Sequence, residues 1–274
     1  TLFTFQENGF SSNLQADPFI LFGVHPYDCE AIAQLDQLFA LKNQDIHYIS
    51  RRENATIVAL DVITPSENVF AGCLGYSHIE RGYDVLLTQI GKDFLADAAT
   101  KKGENLLSKC KGGKEADKKA FESRRKVWEA NSKALRKHEL KGTTADITKK
   151  LPSSLDHPIW KQKAELCFSC GSCNLVCPTC YCFDIQDDLG WDLKSGKRKR
   201  TWDGCMLESF ATVAGAHNFR KKREDRYRHR YLRKGCYVPE KIGSFACVGC
   251  GRCIGACVAR IANPAEVFNA IMEG

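Results

Sequence analysis

The sequence predicts two folded units, an α/β domain followed by a smaller α+β domain that carries a long insertion. Three observations predict it. Apolar runs alternate with helical patterns in the first hundred or so residues, a Lys- and Glu-rich stretch then breaks that patterning, and 12 of the 15 cysteines fall after Leu166. A chain of 274 residues with 43% hydrophobic content has room for two modest cores.

The first domain opens with an apolar run, Phe19 to Val24, which reads as a strand. A turn at His25 and Pro26 follows, then a helical pattern with Ile32, Leu35 and Phe39 on one face and Asp28 as its N-cap. Two further apolar runs, Thr56 to Ile63 and Tyr83 to Thr88, keep the same rhythm, and the second leads into a helical stretch expected from Lys92 to about Leu107. Alternation of this kind predicts a mainly parallel sheet, in an α/β domain over residues 1–109. Between Cys110 and Lys150 the composition shifts to Lys, Glu, Ala and Arg, with Phe121, Trp128 and Leu135 seven residues apart. That spacing makes one narrow stripe, so residues 110–157 are expected to form a charged helical linker. Residues 158–274 remain for the second domain.

No apolar stretch reaches the roughly 20 residues a bilayer crossing needs, and the first residues lack the pattern of a secretory signal. The expectation is a cytoplasmic protein, or a chain whose beginning has been lost. Many cysteines without a secretory signal point to metal, since reducing compartments keep thiols free.

Spacing then selects the metal. Cys167, Cys170, Cys173 and Cys177, followed by Pro178, form C-x2-C-x2-C-x3-C-P, and Cys247, Cys250, Cys253 and Cys257 repeat the spacing with Val258 in place of the proline. Three thiolates at steps of three wrap one face of an iron-sulfur cube, while the fourth cysteine turns away to ligate the other cube. The assignment is therefore Cys167, Cys170, Cys173 and Cys257 for one [4Fe-4S] cluster, and Cys247, Cys250, Cys253 and Cys177 for the second. Gly171, Gly249 and Gly251 suit loops whose backbone must approach a cluster closely. Zinc also takes four cysteines, but it pairs two C-x2-C knuckles across a longer gap and has no use for a third cysteine three residues on. The second domain is accordingly expected to be ferredoxin-like, with residues 178–246 inserted between its two motifs.

That insertion holds Cys180 and Cys182 as C-x-C, then Cys205 and Cys236. Cys180, Cys182 and Cys205, with Cys73 and Cys29 of the first domain, are candidates for a third cluster. The alternative is that several are buried free thiols, which behave as small hydrophobes, and Cys110 has no expected metal role. The net charge of +7 is concentrated here too, for Thr179 to Ala246 hold 15 Lys and Arg against 9 Asp and Glu, an excess of +6. Basic and aromatic residues from Phe219 to Lys234 superficially suggest RNA binding. Beside negatively charged clusters they are better read as stabilising the reduced form and docking an acidic partner, so no nucleic acid is expected. His217 and His229 carry no expected role. No G-x-S-x-G, H-E-x-x-H, P-loop or dinucleotide fingerprint is present, so no catalytic residue is assigned.

Several blocks together resemble a known family. They are Cys167-Phe168-Ser169-Cys170-Gly171-Ser172-Cys173 running into Cys177-Pro178-Thr179-Cys180-Tyr181-Cys182, Trp202-Asp203-Gly204-Cys205, Gly215-Ala216-His217-Asn218, and Cys247-Val248-Gly249-Cys250-Gly251-Arg252-Cys253. They are similar to the iron-sulfur beta subunits of sulfhydrogenase-type soluble hydrogenases and to the A subunit of anaerobic sulfite reductase. Gly23 to Asp28 and Arg51 to Asn54 match blocks in the first domain of those proteins. Two departures stand out: relatives have a cysteine where Tyr27 stands and a C-F-C run near Val69-Phe70-Ala71, whereas Cys29 and Cys73 lie close by but off position. The resemblance implies a non-catalytic subunit that relays electrons between a flavin-containing subunit and a catalytic subunit, with a soluble ferredoxin as a further partner. The competing expectations are an iron-sulfur enzyme subunit binding substrate or flavin near Gly23 to Asp28, and, more remotely, a zinc-containing nucleic-acid-binding protein.

Overall fold

The computed structural model describes all residues, 1–274. A short hairpin comes first, β1 (Phe3–Gln6) and β2 (Gly9–Ser12), followed by β3 (Phe19–Val24), α1 (Pro26–Phe39), α2 (Ile46–Asn54), β4 (Ala55–Leu60), β5 (Val85–Ile90) and β6 (Asp93–Ala98). Strands β3, β4 and β5 pair in parallel and β6 closes the sheet antiparallel, in the order β3-β4-β5-β6. The mainly parallel sheet is as expected, but the expected helix from Lys92 is not. The reason is the two-residue loop Gly91-Lys92. Gly91 takes φ +64°, which only glycine adopts without strain, and the loop turns the chain straight back along β5. Helix α3 (Lys101–Leu107) begins afterwards, capped by Thr100, whose hydroxyl accepts from the Gly103 N–H. A Cβ on Gly103 would sit 1.9 Å from the Asp84 carbonyl oxygen, so this helix packs on the sheet only with glycine there.

Helix α1 starts earlier than expected. Its N-cap is His25 with Pro26 in the first helical position, where the missing N–H costs nothing, and Asp28 lies in the first turn instead. The helix is buried on two sides. Cys29 packs with Ile57, Ala59, Tyr83 and Leu86 over the sheet, with Ile32 against them. Tyr27 and Ala31 pack with Val62, Val69, Leu135 and Val248 on the other side. Burial alternating this way makes α1 the layer between the parallel sheet and the cysteine-rich half.

Helix α4 (Lys118–Ala134) belongs with the sheet. Its inward residues are Arg124, Trp128, Asn131 and the C-capping Leu135, spaced by four, three and four. Arg124 donates to Thr88 Oγ1 at 3.1 Å and pairs with Asp97 at 2.8 Å, Trp128 Nε1 donates to Asp61 Oδ2 at 2.9 Å, and Asn131 donates to the Val62 carbonyl at 3.0 Å. Phe121, expected on that stripe, is 44% exposed. Polar anchors to the sheet turn a charged helix into a packed one, because each buried donor must find a partner.

The second half contains α5 (Thr144–Lys150), α6 (Ile159–Glu165), α7 (Ser172–Leu175), β7 (Phe183–Leu189), β8 (Gly196–Trp202), α8 (Arg223–Leu232), α9 (Pro239–Ile242), α10 (Arg252–Gly255) and α11 (Pro264–Glu273). Its core gathers Trp160, Tyr227, Tyr231, Phe245 and Phe268, and the Tyr227 hydroxyl donates to the Ile261 carbonyl at 2.6 Å. Strands β7 and β8 form a hairpin inside the insertion, and β8 pairs antiparallel with β1, giving a second sheet in the order β2-β1-β8-β7. The first residues of the chain therefore fold with residues about two hundred positions later, across the division expected near residue 109. An ion pair between Arg200 and Asp45 fastens this sheet to the N-cap of α2.

Candidate metal centres

The two cysteine motifs adopt the same backbone path. Gly171 and Gly251, each directly after the second cysteine, have φ/ψ of 74°/−8° and 75°/−3° and cap the short helices α7 and α10. Two residues earlier Ser169 and Gly249 are again left-handed, at φ +55° and +66°. Repeating these unusual angles lets three cysteines of each loop converge, which a regular helix or strand would not allow. Close packing adds to the demand for glycine: a Cβ on Gly249 would lie 2.6 Å from Ala71 N, and one on Gly251 2.2 Å from the Asn68 carbonyl oxygen.

One pocket is lined by Cys167, Cys170, Cys173 and Cys257 together with Met206 and Tyr227. The last cysteine of the second motif thus lies with the first three of the first motif. Cys247, Cys250 and Cys253 form the reciprocal group, and the charge on Cys177 acts on both Cys247 and Cys250. Burial pushes the Cys173 and Cys250 thiols up to about 11 and that of Cys247 up to about 12. Thiols that resist ionisation this strongly need nearby positive charge to serve as thiolate ligands.

That charge comes from the insertion. Arg226, Arg230 and Lys234 are spaced by four along α8 and the π-helical turn that continues it, Arg233–Tyr237. They are 2%, 1% and 4% exposed. Arg226 donates to Ser169 Oγ at 3.1 Å, Arg230 to the Cys173 carbonyl at 3.4 Å, and Lys234 to Cys177 Sγ at 3.2 Å. A step of four on the helix meets a step of four on the first motif, so the cations run as a ladder beside the cysteines. The Phe219 to Lys234 segment is expected both to stabilise reduced clusters and to dock an acidic partner, and Arg226, Arg230 and Lys234 face inward, towards the cysteines. Burial opposes the Lys234 ammonium, yet the Cys177 and Cys180 sulfurs outweigh it and raise its pKa. Arg226 Nε, Arg230 Nε and Arg230 Nη1 are buried with no hydrogen-bond partner. Apart from a 4.0 Å contact between Arg226 and the exposed Glu208, these buried cations have no carboxylate partner, and a thiolate-ligated cluster would supply the negative charge they call for.

The first domain closes over the second motif. Arg252 holds Asp28 through two contacts of 2.5 Å and lies 6.0 Å from the Tyr27 ring centroid. Phe70 N–H donates to the Gly249 carbonyl at 2.8 Å. Tyr27 and Asp28, at the end of the Gly23 to Asp28 block considered above for flavin or substrate, are engaged in this contact.

The remaining cysteines divide clearly. Cys180, Cys182 and Cys205 line a separate pocket. Cys29, by contrast, is buried in the sheet core, where desolvation lifts its thiol to about 12, and Cys73 donates to the His138 carbonyl at 3.3 Å. Neither joins the other three, because each is committed to the packing around α1 and α4. Cys236 is buried in the core of the second half and Cys110 is exposed. Spacing by four in Arg226, Arg230 and Lys234 was the available signal for the cation ladder. Nothing local marked Asn174, which is 3% exposed and reaches both Cys180 and Cys205.

Comparison with known proteins agrees with this geometry. A family described as a 4Fe-4S dicluster domain matches residues 166–261. Sulfhydrogenase 2 subunit beta of Pyrococcus furiosus is 34% identical over 278 residues, covering 100% of this chain and 80% of that protein. The chain belongs to the sulfhydrogenase beta-subunit family. No solved structure matches it. For this family member the resemblance carried by the cysteine blocks extends through both halves, including the α/β half that holds no cysteine motif. No helix is long and apolar enough to cross a membrane.

Proposed function

We propose that this chain is the electron-transfer subunit of a cytoplasmic multisubunit oxidoreductase and holds two [4Fe-4S] clusters. One is assigned to Cys167, Cys170, Cys173 and Cys257, the other to Cys247, Cys250, Cys253 and Cys177. The observation that carries the reading is the cavity in which Cys257 joins the first three cysteines of the other motif. Bound clusters supply one-electron transfer. The protein's own residues set the conditions for it. Arg230 and Lys234 place buried positive charge beside Cys173 and Cys177, which favours an added electron. Tyr27, Asn68 and Phe70 cover the second motif and limit water there. Cys170 is exposed, and Phe168 and Val258 beside it are 71% and 81% exposed, so that end of the domain is open to a partner. A flavin-containing subunit, a catalytic subunit of hydrogenase or sulfur-reducing type and a soluble ferredoxin are the partners this reading implies. In domain terms, residues 158–274 act as the cluster domain, 178–246 as its insertion, and the α/β part as its cover.

The test is metal content of protein isolated without oxygen, with Cys257→Ala as the probe. At least about eight iron and eight acid-labile sulfide per chain are expected, and the variant should lose about four of each while keeping the signal of the other cluster. Zinc without sulfide, or full cluster content in Cys257→Ala, would overturn the assignment.

A further inference from the structure

We propose that Cys180, Cys182 and Cys205 hold a third iron-sulfur cluster, bound by three thiolates and flanked by the buried cations of α8. The proposal rests on the iron-sulfur reading above and adds a site that neither four-cysteine motif accounts for. All three sulfur-bearing residues line one pocket, and Arg230, Arg233 and Lys234 line it with them. No other residue of that lining is a cysteine, histidine or carboxylate, so the only anionic donors available are the three thiolates.

The local structure holds those cysteines towards one point. Asn174 Nδ2 lies 3.6 Å from Cys180 Sγ and 3.6 Å from Cys205 Sγ, which places the two sulfurs no more than twice that distance apart. The Asn174 side chain is itself fixed, since its Oδ1 accepts from the Met206 N–H at 3.2 Å. Gly204 allows the approach: a Cβ there would come within 2.9 Å of Asn174 Cβ. Between the cysteines of the C-x-C pair, Tyr181 is clamped by the Arg233 guanidinium, 4.6 Å from its ring centroid, and the Cys182 carbonyl accepts from the Asp203 N–H at 3.3 Å.

Two further observations indicate an anionic occupant larger than one ion. Arg230 Nε and Nη1 and Arg233 Nη2 are buried without hydrogen-bond partners, and Lys234 Nζ is shared between Cys177 at 3.2 Å and Cys180 at 3.8 Å. Unpaired guanidinium nitrogens on the wall of a thiol-lined cavity suit the sulfides and thiolates of a cluster, which accept hydrogen bonds. A single zinc ion would draw its sulfurs to about 3.8 Å from one another, the separation that bonds of about 2.3 Å impose on a tetrahedron. No three Cys, His, Asp or Glu side chains in the structure are disposed to hold one metal ion. A core of several irons spans a wider set of sulfurs than a single ion does, and three protein thiolates leave one iron position free of cysteine.

The site also has a location suited to its use. Cys180 follows Cys177 by three residues, and Lys234 contacts both sulfurs, so the pocket adjoins the cysteine set to which Cys177 is assigned. Iron, zinc and acid-labile sulfide should be counted on the full chain isolated without oxygen, in the wild type and in Cys182→Ser and Cys205→Ser. The expected wild-type value is eleven to about twelve iron per chain, falling to about eight in either variant, with the electron paramagnetic resonance signals of the two motif clusters retained. A wild-type value of about eight iron overturns the proposal whether or not the variants fold. So does about one zinc per chain that disappears in Cys205→Ser. Failure of the underlying dicluster reading would look different, as wild-type iron and sulfide well below eight.

Discussion

Replacing Gly251 with alanine tests whether the α/β half closes on the second cysteine loop. Gly251 has φ +75°, and an alanine held there costs about 1–2 kcal/mol from its Cβ against the neighbouring carbonyl. The added Cβ would also lie 2.2 Å from the Asn68 carbonyl oxygen and 2.4 Å from its carbon, where ordinary contacts are well above 3 Å. About an ångström of movement is needed, either of the segment around Asn68 or of the loop bearing Cys250 and Cys253. With forced overpacking adding about 1–3 kcal/mol, the total loss is on the order of 2–5 kcal/mol. Gly243→Ala is the matched control, because Gly243 has φ +71° but nothing within 4 Å of its Cβ position. The control should lose only the backbone contribution, about 1–2 kcal/mol. Thermal unfolding without oxygen, followed by circular dichroism together with the cluster absorbance, reads both variants. If Gly251→Ala fell no further than Gly243→Ala, the Asn68 segment would be free to part from the loop and the covering role of the first domain would be refuted.

Lys234→Met should leave the fold intact while lowering the potential of a cluster. Two unit charges about 4 Å apart interact by about 4 kcal/mol at an effective dielectric of 20. An added electron is spread over the cluster, so a quarter to a half of that, about 1–2 kcal/mol or roughly 40–80 mV for one electron, is the expected shift; redox titration followed by paramagnetic resonance measures it, and an unchanged potential would sink the role given to Lys234. His229 gives a pH dependence. Burial first, then the charges of Arg220 and Arg233, lower its pKa from 6.5 to about 4. The unfolded chain therefore takes up this proton first as pH falls, so the contribution is intact above about 6.5 and is lost between 6.5 and 4. His229→Phe should flatten the fall in melting temperature across that window relative to wild type, and equal slopes would contradict it.

The two cysteine loops were legible because iron-sulfur motifs are local: steps of three bring sulfurs together within one turn of chain, and Gly171 and Gly251 mark the angles that turn requires. The strand rhythm of β3, β4 and β5 was legible for a similar reason, since period and apolar runs report burial directly. The hairpin at Gly91 was also written locally but was masked by helix-forming neighbours in the Lys92 to Leu107 stretch. What lay beyond reach was contact between distant segments. No pattern in residues 3–6 announces pairing with 196–198, because an edge strand binds through backbone groups that every sequence shares.

By itself, then, the sequence determined the 4Fe-4S dicluster signature and the presence of an α/β unit, both of which follow from spacing along a few tens of residues. Only the tertiary structure decided which way the charges point. Arg226, Arg230 and Lys234 belong to a basic segment read as serving the clusters and a partner, but which of its cations are buried against the cysteines is decided only when α8 is laid on the first motif, and Asn174 becomes a bridge to Cys180 and Cys205 only once the Gly204 loop closes on it. Burial of a cation depends on what faces it from elsewhere in the chain. The physical reason is that desolvation is a property of the packed assembly, whereas ligand spacing is a property of the chain.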